Sequence, residues 1–190
     1  MIPKSCNQIL DVGCGTGERW KNFSGEVTGI EVNEEAARVA SGVLKNVVVG
    51  DLENLDLRLK AASFDCIVFA DVLEHLYDPW GTLEKMKKYL RTEGVVLVSI
   101  PNIRHYRVLR ALLLKGEFKY KDSGILDKDH LRFFTRKQIM DLVSGAGLEI
   151  MSVKRALAAS SKHKILNTLF LGALSDFLTQ QYYVLAKVKT

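Results

Sequence analysis

The sequence predicts an α/β fold in which a mostly parallel sheet is covered by helices on both faces. Short apolar runs alternate along the chain with segments of helical periodicity. The runs are apolar at successive positions rather than at every second one, which indicates strands buried on both faces. The chain has 190 residues, a length that favours one domain and buries roughly 70% of the unfolded surface without disulfide or metal staples.

The first part of the chain supplies four strands and one helix. Each strand is a short, largely apolar run, and the four are Gln8–Val12, Val27–Val32, Val47–Val49 and Asp65–Ala70. The helix Glu34–Leu44 follows Asn33, whose side chain is a good N-cap. Because few residues separate the first two strands, we expect only one or two helical turns between them.

The second part continues the alternation around one interruption. The helix Trp80–Leu90 has apolar residues at helical spacing and stops at Glu93-Gly94. Segment 102–134 is basic, aromatic and longer than a simple crossover. The remaining elements are the strand Val95–Ile100 before Pro101, a helix from Thr135 to about Ser144 that ends at Gly145-Ala146-Gly147, and the strands Leu148–Val153 and Tyr182–Val188. An apolar helix over Lys162–Thr179 is expected to pack on the sheet or on a second subunit, with a membrane-interface surface as the alternative.

The positive charge is concentrated in one stretch. The chain has 27 basic and 22 acidic residues, a formal net charge of +5. Residues 103–137 contain ten basic and four acidic residues, so this stretch carries +6 and the rest of the chain −1. The overall excess is therefore weak evidence for nucleic acid, and the positive charge lies in and just after an insert at about 103–134.

Composition and cysteine usage exclude several classes of protein. With 47% hydrophobic and 26% charged residues, the chain is neither disordered, collagen-like nor a coiled coil. The three cysteines form no C-x-x-C pair, which argues against a disulfide framework or a cysteine zinc site. Together with the lack of an apolar signal core or a membrane-length apolar run, this predicts a reduced, cytoplasmic setting. No metal site is predicted.

The strongest motif is a glycine loop directly after the first strand, Leu10-Asp11-Val12-Gly13-Cys14-Gly15-Thr16-Gly17. Glycines there allow a tight turn and a close approach of backbone N–H groups to a ligand. Glu31 lies 20 positions after Asp11, at the end of the second strand, where a carboxylate can accept hydrogen bonds from ribose hydroxyls. Three interpretations compete: a purely structural turn, a dinucleotide site, which would favour G-x-G-x-x-G, and an S-adenosylmethionine site.

The motif resembles the first motif of the class I S-adenosylmethionine-dependent methyltransferases. Further segments resemble the family's motifs in order: Gly29-Ile30-Glu31, Gly50-Asp51-Leu52, Phe64-Asp65 with Asp71-Val72-Leu73-Glu74-His75, and Gly94 to Asn102. The resemblance implies a Rossmann-like seven-stranded sheet with the last strand antiparallel, in a single methyltransferase domain over residues 1–190. It also implies S-adenosyl-L-methionine as the cofactor.

The resemblance assigns cofactor-binding roles to strand-end residues. It places Asp11, Gly13, Gly15 and Gly17 around the methionine part and Glu31 on the ribose. It implies that Asp51 accepts from the adenine amine and that Leu52 backs the ring. Ala70 and Asp71 would line the sulfonium end of the cleft.

Two further resemblances concern the acceptor. The segment Asp71 to Leu76 resembles enzymes that methylate small-molecule hydroxyls, such as quinone-precursor O-methyltransferases, and it lacks the Asn/Asp-Pro-Pro-aromatic motif of nucleic-acid amine methylation. Within the insert, Pro101 to Tyr106, Gly124 to Asp127 and His130 to Thr135 resemble methyltransferases associated with glycosyltransferases and polysaccharide biosynthesis. This implies a saccharide or lipid-linked saccharide, with a quinone-type acceptor, RNA, or a non-catalytic S-adenosylmethionine-binding module as alternatives.

The insert also contains the candidate catalytic and substrate-binding residues. His130 is the first candidate for the base that removes the hydroxyl proton, and His105 is the second, because neutral imidazole suits that role near pH 7. The alternative for His130 is an orienting hydrogen bond between insert and body. Substrate binding is predicted for Arg104, Tyr106, Arg107 and Arg132, the arginines holding an anionic group. A homodimer is left open, since a second subunit could close the cleft.

Overall fold

Seven strands form one mixed sheet in the computed structural model, which describes residues 1–157, 167–168 and 172–189. In chain order they are β1 (Gln8–Val12), β2 (Glu26–Glu31), β3 (Asn46–Val49), β4 (Phe64–Ala70), β5 (Leu90–Pro101), β6 (Leu148–Leu157) and β7 (Thr179–Val188). Their order across the sheet is β3-β2-β1-β4-β5-β7-β6. Strands β1 to β5 pair in parallel, whereas β7 is antiparallel to both neighbours. The predicted fold class is confirmed, including the antiparallel last strand.

In the described part of the chain, four helices of seven or more residues and several short turns connect the strands. They are α1 (Glu34–Ala40), α2 (Pro79–Met86), α3 (Tyr106–Lys115) and α4 (Arg136–Gly145). The side chain of Asn33 accepts a hydrogen bond from the Ala36 amide at 2.9 Å, as its predicted N-cap role requires. Thr135 and Gln138 form a reciprocal capping box at the start of α4.

The segment between β1 and β2 is as short as expected and forms a single 3-10 turn, Glu18–Trp20. The boundaries of two helices differ from the prediction. Helix α1 ends at Ala40 rather than Leu44, because Leu44 turns inward and is buried. Helix α2 gives way to a 3-10 turn, Lys87–Tyr89, so that Leu90 begins β5 instead of ending the helix.

Side chains of β1 show how the sheet is covered on both faces. Leu10 packs in one buried cluster with Leu83 of α2 and Ile139 of α4. Ile9 packs in a second cluster with Trp20 and Ala40. Successive strand residues point to opposite faces, so the adjacent apolar residues Ile9 and Leu10 are buried on the two faces of the sheet. A strand covered on both faces has no need to alternate apolar with polar residues.

The insert, residues 103–134, consists of α3 and a long loop that folds back over the carboxyl ends of the strands. Its base is closed where the Ile103 amide donates to the Phe134 carbonyl at 3.0 Å. Just before Phe134, the amides of Leu131 and Arg132 both donate to the backbone carbonyl of Glu74, at 2.9 and 3.0 Å. The insert is therefore tied to the 3-10 turn Leu73–His75 that follows β4.

Most of the predicted helix Lys162–Thr179 lies outside the described residues. A short helix, Ser175–Leu178, precedes β7. Among the described residues, no helix is long and apolar enough to cross a membrane.

Candidate active site

A cleft of about 440 Å³ opens at the carboxyl edge of β1 to β4. The loop after each of these strands contributes at least one lining residue, because parallel strands all end at the same edge of a sheet. The lining includes Gly13, Gly15, Glu31, Asp51, Leu52 and Asp71. Six of the nine residues predicted to bind the cofactor are thus brought together in one cleft.

The glycine loop after β1 requires left-handed backbone conformations. The φ angles of Gly13, Gly15 and Gly17 are 66°, 57° and 72°, values that residues with a Cβ adopt at a cost. A Cβ on Gly13 would also lie 2.5 Å from Cγ2 of Val72, whereas one on Gly15 would meet nothing within 4 Å. The contact with Val72 therefore excludes a larger residue at position 13. The open space beside Gly15 is part of the cleft.

The carboxylate of Glu31 ties the glycine loop to the end of β2. One oxygen, Oε2, accepts from the Gly15 amide at 2.7 Å, and Oε1 accepts from the Asn33 amide at 2.9 Å. Only 9% of the residue is exposed. Each oxygen retains a lone pair for a ligand, so Glu31 can hold the loop and bind at the same time.

After β3, Asp51 and Leu52 supply a polar and an apolar wall. Asp51 Oδ1 accepts from the Glu53 amide at 3.0 Å, and Oδ2 accepts from the Asn54 side-chain amide at 2.6 Å. Leu52 is buried in the core cluster that contains α2 and also lines the cleft. This pair can present a carboxylate to a polar ring edge and a flat apolar surface to the ring face.

Asp11 lies behind the glycine loop rather than in the lining. Its side chain is fully buried, and the indole nitrogen of Trp20 donates to Oδ2 at 2.7 Å. Its Oδ1 has no hydrogen-bond partner among the residues that the structure describes, and Nη1 of Arg19 lies 3.8 Å away. Burial raises the pKa of Asp11 to about 6. Two other predicted cofactor residues are also outside the lining: Gly17, which precedes the 3-10 turn, and Ala70, the last residue of β4.

Asp71 stands at the junction of two clefts. Its φ angle of 58° is unusual for a residue with a side chain, and strain of this kind is typical of functional positions. The side-chain amide of Gln181 on β7 donates to both Asp71 and Ser99. Asp71, which follows β4, is therefore held in place by a side chain of β7, two strands away in the sheet.

A second cavity, of about 270 Å³, adjoins the first and is roofed by the insert. We call it the acceptor cavity. Asp71 and His75 line both spaces. The remaining wall of the acceptor cavity is largely polar and includes Glu74, Asp127, His130 and Gln181.

Glu74, His75 and His130 form a cluster that the sequence does not reveal. Each offers one ligand atom, and these atoms lie within 4.8 Å of one another. Both carboxylate oxygens of Glu74 are buried and have no hydrogen-bond partner within the described part of the chain, and burial raises the pKa of this carboxyl to about 8. No local signal predicts the cluster, because 55 positions separate His75 from His130 and only the folding of the insert joins them.

The two histidines predicted as bases are placed differently. His130 lines the acceptor cavity, and burial lowers its pKa, which favours the neutral ring. His105 is 2% exposed and lines another cavity of about 300 Å³, which we call the basic cavity. The structure therefore brings His130, but not His105, to the space beside the cofactor cleft.

The predicted substrate-binding side chains do not converge. Of these residues, Arg107 lines the basic cavity, together with Lys119 and Lys121, and its Nε donates to the Tyr106 hydroxyl at 3.2 Å. Arg104 lies 3.6 Å from Asp176 and over the ring of Phe177. Arg132 donates to the backbone carbonyl of Tyr77 at 2.7 Å.

Comparison with known proteins places this architecture in a family. The profile of a family described as Methyltransferase domain matches residues 2–153. An uncharacterized protein of Methanocaldococcus jannaschii is 30% identical over 159 residues, covering 75% of this chain and 62% of that protein. A ubiquinone biosynthesis O-methyltransferase of Shewanella halifaxensis is 28% identical over 150 residues, covering 74% and 63%. The chain thus spans somewhat less than two-thirds of the length of these relatives.

Solved structures share the fold at low sequence identity. A SAM-dependent methyltransferase from Archaeoglobus fulgidus superposes with a TM-score of 0.69 at 20% identity, covering 97% of this chain and 87% of that one. An S-adenosylmethionine-dependent methyltransferase from Mesorhizobium loti superposes with a TM-score of 0.65 at 20% identity, covering 98% and 93%. The chain belongs to the methyltransferase domain family, and its fold is the one these S-adenosylmethionine-dependent methyltransferases share.

Proposed function

We propose that this chain transfers the methyl group of S-adenosylmethionine to a hydroxyl of a small polar molecule, of the saccharide class. The observation that carries the proposal is the pair Asp71 and His75, which line both the cofactor cleft and the acceptor cavity. A ligand in each space would meet at these two residues. Bringing two reactants together in this way can supply about 7–11 kcal/mol of a reaction barrier.

The residues of the cofactor cleft fit S-adenosylmethionine. Gly15 leaves open space where a ligand can approach the backbone, and Glu31 keeps lone pairs for ribose hydroxyls. Asp51 and Leu52 offer an acceptor and an apolar wall for adenine. When bound, this cofactor supplies an electrophilic methyl group on a sulfonium sulfur.

The reaction requires the chain to position a hydroxyl oxygen and to dispose of its proton. The new bond joins that oxygen to the methyl carbon, the bond from the carbon to sulfur breaks, and the hydroxyl proton leaves. We assign the hydroxyl proton to His130 among the insert residues, and its position in the lining of the acceptor cavity supports this assignment. Its role as a base remains a prediction.

The polar wall of the acceptor cavity favours a hydroxyl-rich acceptor. Carboxylates, amides and imidazoles can each bind sugar hydroxyls, and side chains of these types line the space. The basic cavity shares Gly124, Ile125 and Gln180 with the acceptor cavity. Lined by Arg107 and two lysines, it can take the phosphate of an activated or lipid-linked sugar.

A second candidate acceptor is an aromatic hydroxyl of the quinone-precursor type. The insert exposes an aromatic group in which Phe118 and Phe133 have ring centroids 5.6 Å apart and Phe118 and Tyr120 5.7 Å apart. His130 lies 6.2 Å from the ring of Phe133. Stacking on these rings would suit a catechol.

The test is methyl transfer from radiolabelled S-adenosylmethionine to separate panels of nucleotide-activated hexoses, glycolipids and catechols. We expect label in a methyl ether of a saccharide, identified by mass spectrometry. Label only in a catechol would replace the saccharide with the second candidate. Tight binding of S-adenosylhomocysteine without transfer to any hydroxyl would instead indicate a non-catalytic module.

A further inference from the structure

The side chains of Glu74, His75 and His130 converge from two separate parts of the chain. Glu74 and His75 belong to the turn after β4, and His130 belongs to the insert. Their ligand atoms lie within 4.8 Å of one another. Ligands around one ion bound at about 2.1 Å are about 3–4 Å apart, so small side-chain movements would close the group around an ion.

Hydrogen bonds orient both imidazoles. His75 Nδ1 lies 3.0 Å from the carbonyl oxygen of Asp129, and His130 Nδ1 lies 3.1 Å from that of Ile125. A carbonyl oxygen only accepts, so each Nδ1 donates, and in a neutral ring of this tautomer the lone pair lies on Nε2. Donation from the other ring nitrogen to a backbone carbonyl is the arrangement found behind histidines that bind metals.

Glu74 supplies an independent reason to expect a ligand. The residue is 1% exposed, and neither carboxylate oxygen has a hydrogen-bond partner among residues 1–157, 167–168 and 172–189. A buried polar group without a partner typically costs about 1–3 kcal/mol, and folded proteins rarely retain one without a use. A cation between this carboxylate and the two imidazoles would satisfy all three residues.

We propose that Glu74, His75 and His130 bind one divalent transition-metal ion in the wall of the acceptor cavity. Two imidazoles and one carboxylate are the donor set of many catalytic zinc sites, and they also suit Mn²⁺ and Co²⁺. Mg²⁺ and Ca²⁺ prefer oxygen ligands, so the site favours the transition metals over them. Three protein ligands leave a coordination position for a further oxygen.

The position of the ion would give it a role in the reaction, an inference that rests on the proposed function. The acceptor hydroxyl would bind the ion through its oxygen, and its proton would leave to water because coordination lowers the pKa of a bound hydroxyl. The oxygen would then form the bond to the methyl carbon as the carbon–sulfur bond breaks. In this scheme His130 holds the ion and does not itself take the proton.

The site can be tested without an acceptor, on tag-free, chelator-treated full chain. We expect one equivalent of Zn²⁺ or Mn²⁺ to bind in calorimetry, Co²⁺ to give a visible absorption band, and Mg²⁺ to bind far more weakly. Glu74→Gln and His130→Ala should each weaken Zn²⁺ binding by about 100-fold or more. Asp122→Asn is the matched control, since this insert carboxylate is exposed and pairs with Lys128, and it should bind Zn²⁺ as the unchanged chain does.

The outcomes separate the metal site from the proposed function. Zn²⁺ binding that Glu74→Gln and His130→Ala leave unchanged, in variants that melt like the parent, would overturn the site. Absence of Zn²⁺, Mn²⁺ and Co²⁺ binding would overturn it as well, even if methyl transfer proceeds in chelator. Metal binding that both variants abolish would support the site, whether or not the saccharide panel is methylated.

Discussion

The indole nitrogen of Trp20 donates a hydrogen bond to Asp11 across the base of the glycine loop, at 2.7 Å. This contact explains why a carboxylate predicted to face the cofactor is instead directed behind the loop. The charged form of Asp11 is disfavoured because burial raises its pKa from 3.8 to about 6. The pair therefore connects the stability of the loop to pH.

The first prediction concerns this pH dependence. Between about pH 4 and pH 6 the folded chain holds a proton on Asp11 that the unfolded chain has released, so the free energy of unfolding falls as pH rises through this window. A shift of this size corresponds to roughly 2–3 kcal/mol. In denaturant unfolding, the free energy of unfolding of the parent relative to that of Asp11→Asn should fall by roughly 2–3 kcal/mol from pH 4 to pH 7.

Trp20 gives a direct optical readout of the same proton. The chain contains two tryptophans, so Trp80→Phe leaves Trp20 as the only one, and its fluorescence should titrate with a midpoint near 6. The double variant Trp80→Phe, Asp11→Asn should lose that transition. A fluorescence signal that is flat from pH 4 to 7 in Trp80→Phe would contradict the assignment.

The second prediction concerns Glu31, which accepts from the amides of Gly15 and Asn33. Glu31→Gln has only one side-chain acceptor oxygen, so one of these amides loses its partner at a cost of about 1–3 kcal/mol. Affinity for S-adenosylhomocysteine, measured by calorimetry, should fall about 10- to 100-fold. Glu26→Gln, at the other end of β2, is the control and should bind like the parent.

The third prediction separates backbone strain from occupation of the cleft. Gly15 and Gly116 have φ angles of 57° and 65°, and an added Cβ at either meets nothing within 4 Å. Alanine at each should therefore cost a similar amount of stability, of the order of 1 kcal/mol. Only Gly15→Ala should also reduce binding of S-adenosylhomocysteine, because Gly15 lines the cofactor cleft while Gly116 ends α3. Equal cofactor affinities in the two variants would show that Gly15 has no part in binding.

Some positions in the candidate site could be predicted from the sequence, and others could not. Glu31, Asp51 and Asp71 could be predicted together because each lies at the end of its own strand or just after it, and parallel strands end at one edge. The position of Asp11 could not, since it depends on the Trp20 ring reaching back from the next turn. The distance between Glu74 and His130 also depends on long-range contacts, which form when the insert amides donate to the Glu74 carbonyl. Periodicity and spacing carry no information about such contacts.

The fourth prediction tests the basic cavity as the site of an anionic group. Arg107 lines this cavity, whereas Arg110 is exposed one turn further along α3 and does not. Losing a charge-assisted hydrogen bond costs about 1.5–3 kcal/mol, so Arg107→Ala should raise KM for a phosphate-bearing saccharide about 10- to 100-fold. Arg110→Ala should leave this KM unchanged. An equal rise in both variants would indicate a general effect of positive charge rather than a binding position.

The fifth prediction concerns the two insert histidines. His130 lines the acceptor cavity and His105 lines the basic cavity, so of these two we expect His130 to act on the reacting hydroxyl. We expect His130→Ala to reduce kcat by about 10²–10⁴-fold, the range for loss of proton-transfer assistance, with S-adenosylhomocysteine affinity unchanged in calorimetry. His105→Ala should act on KM for a phosphate-bearing acceptor more than on kcat. Unchanged turnover of His130→Ala on the methylated saccharide would exclude His130 from the reaction, whether through a proton or through an ion.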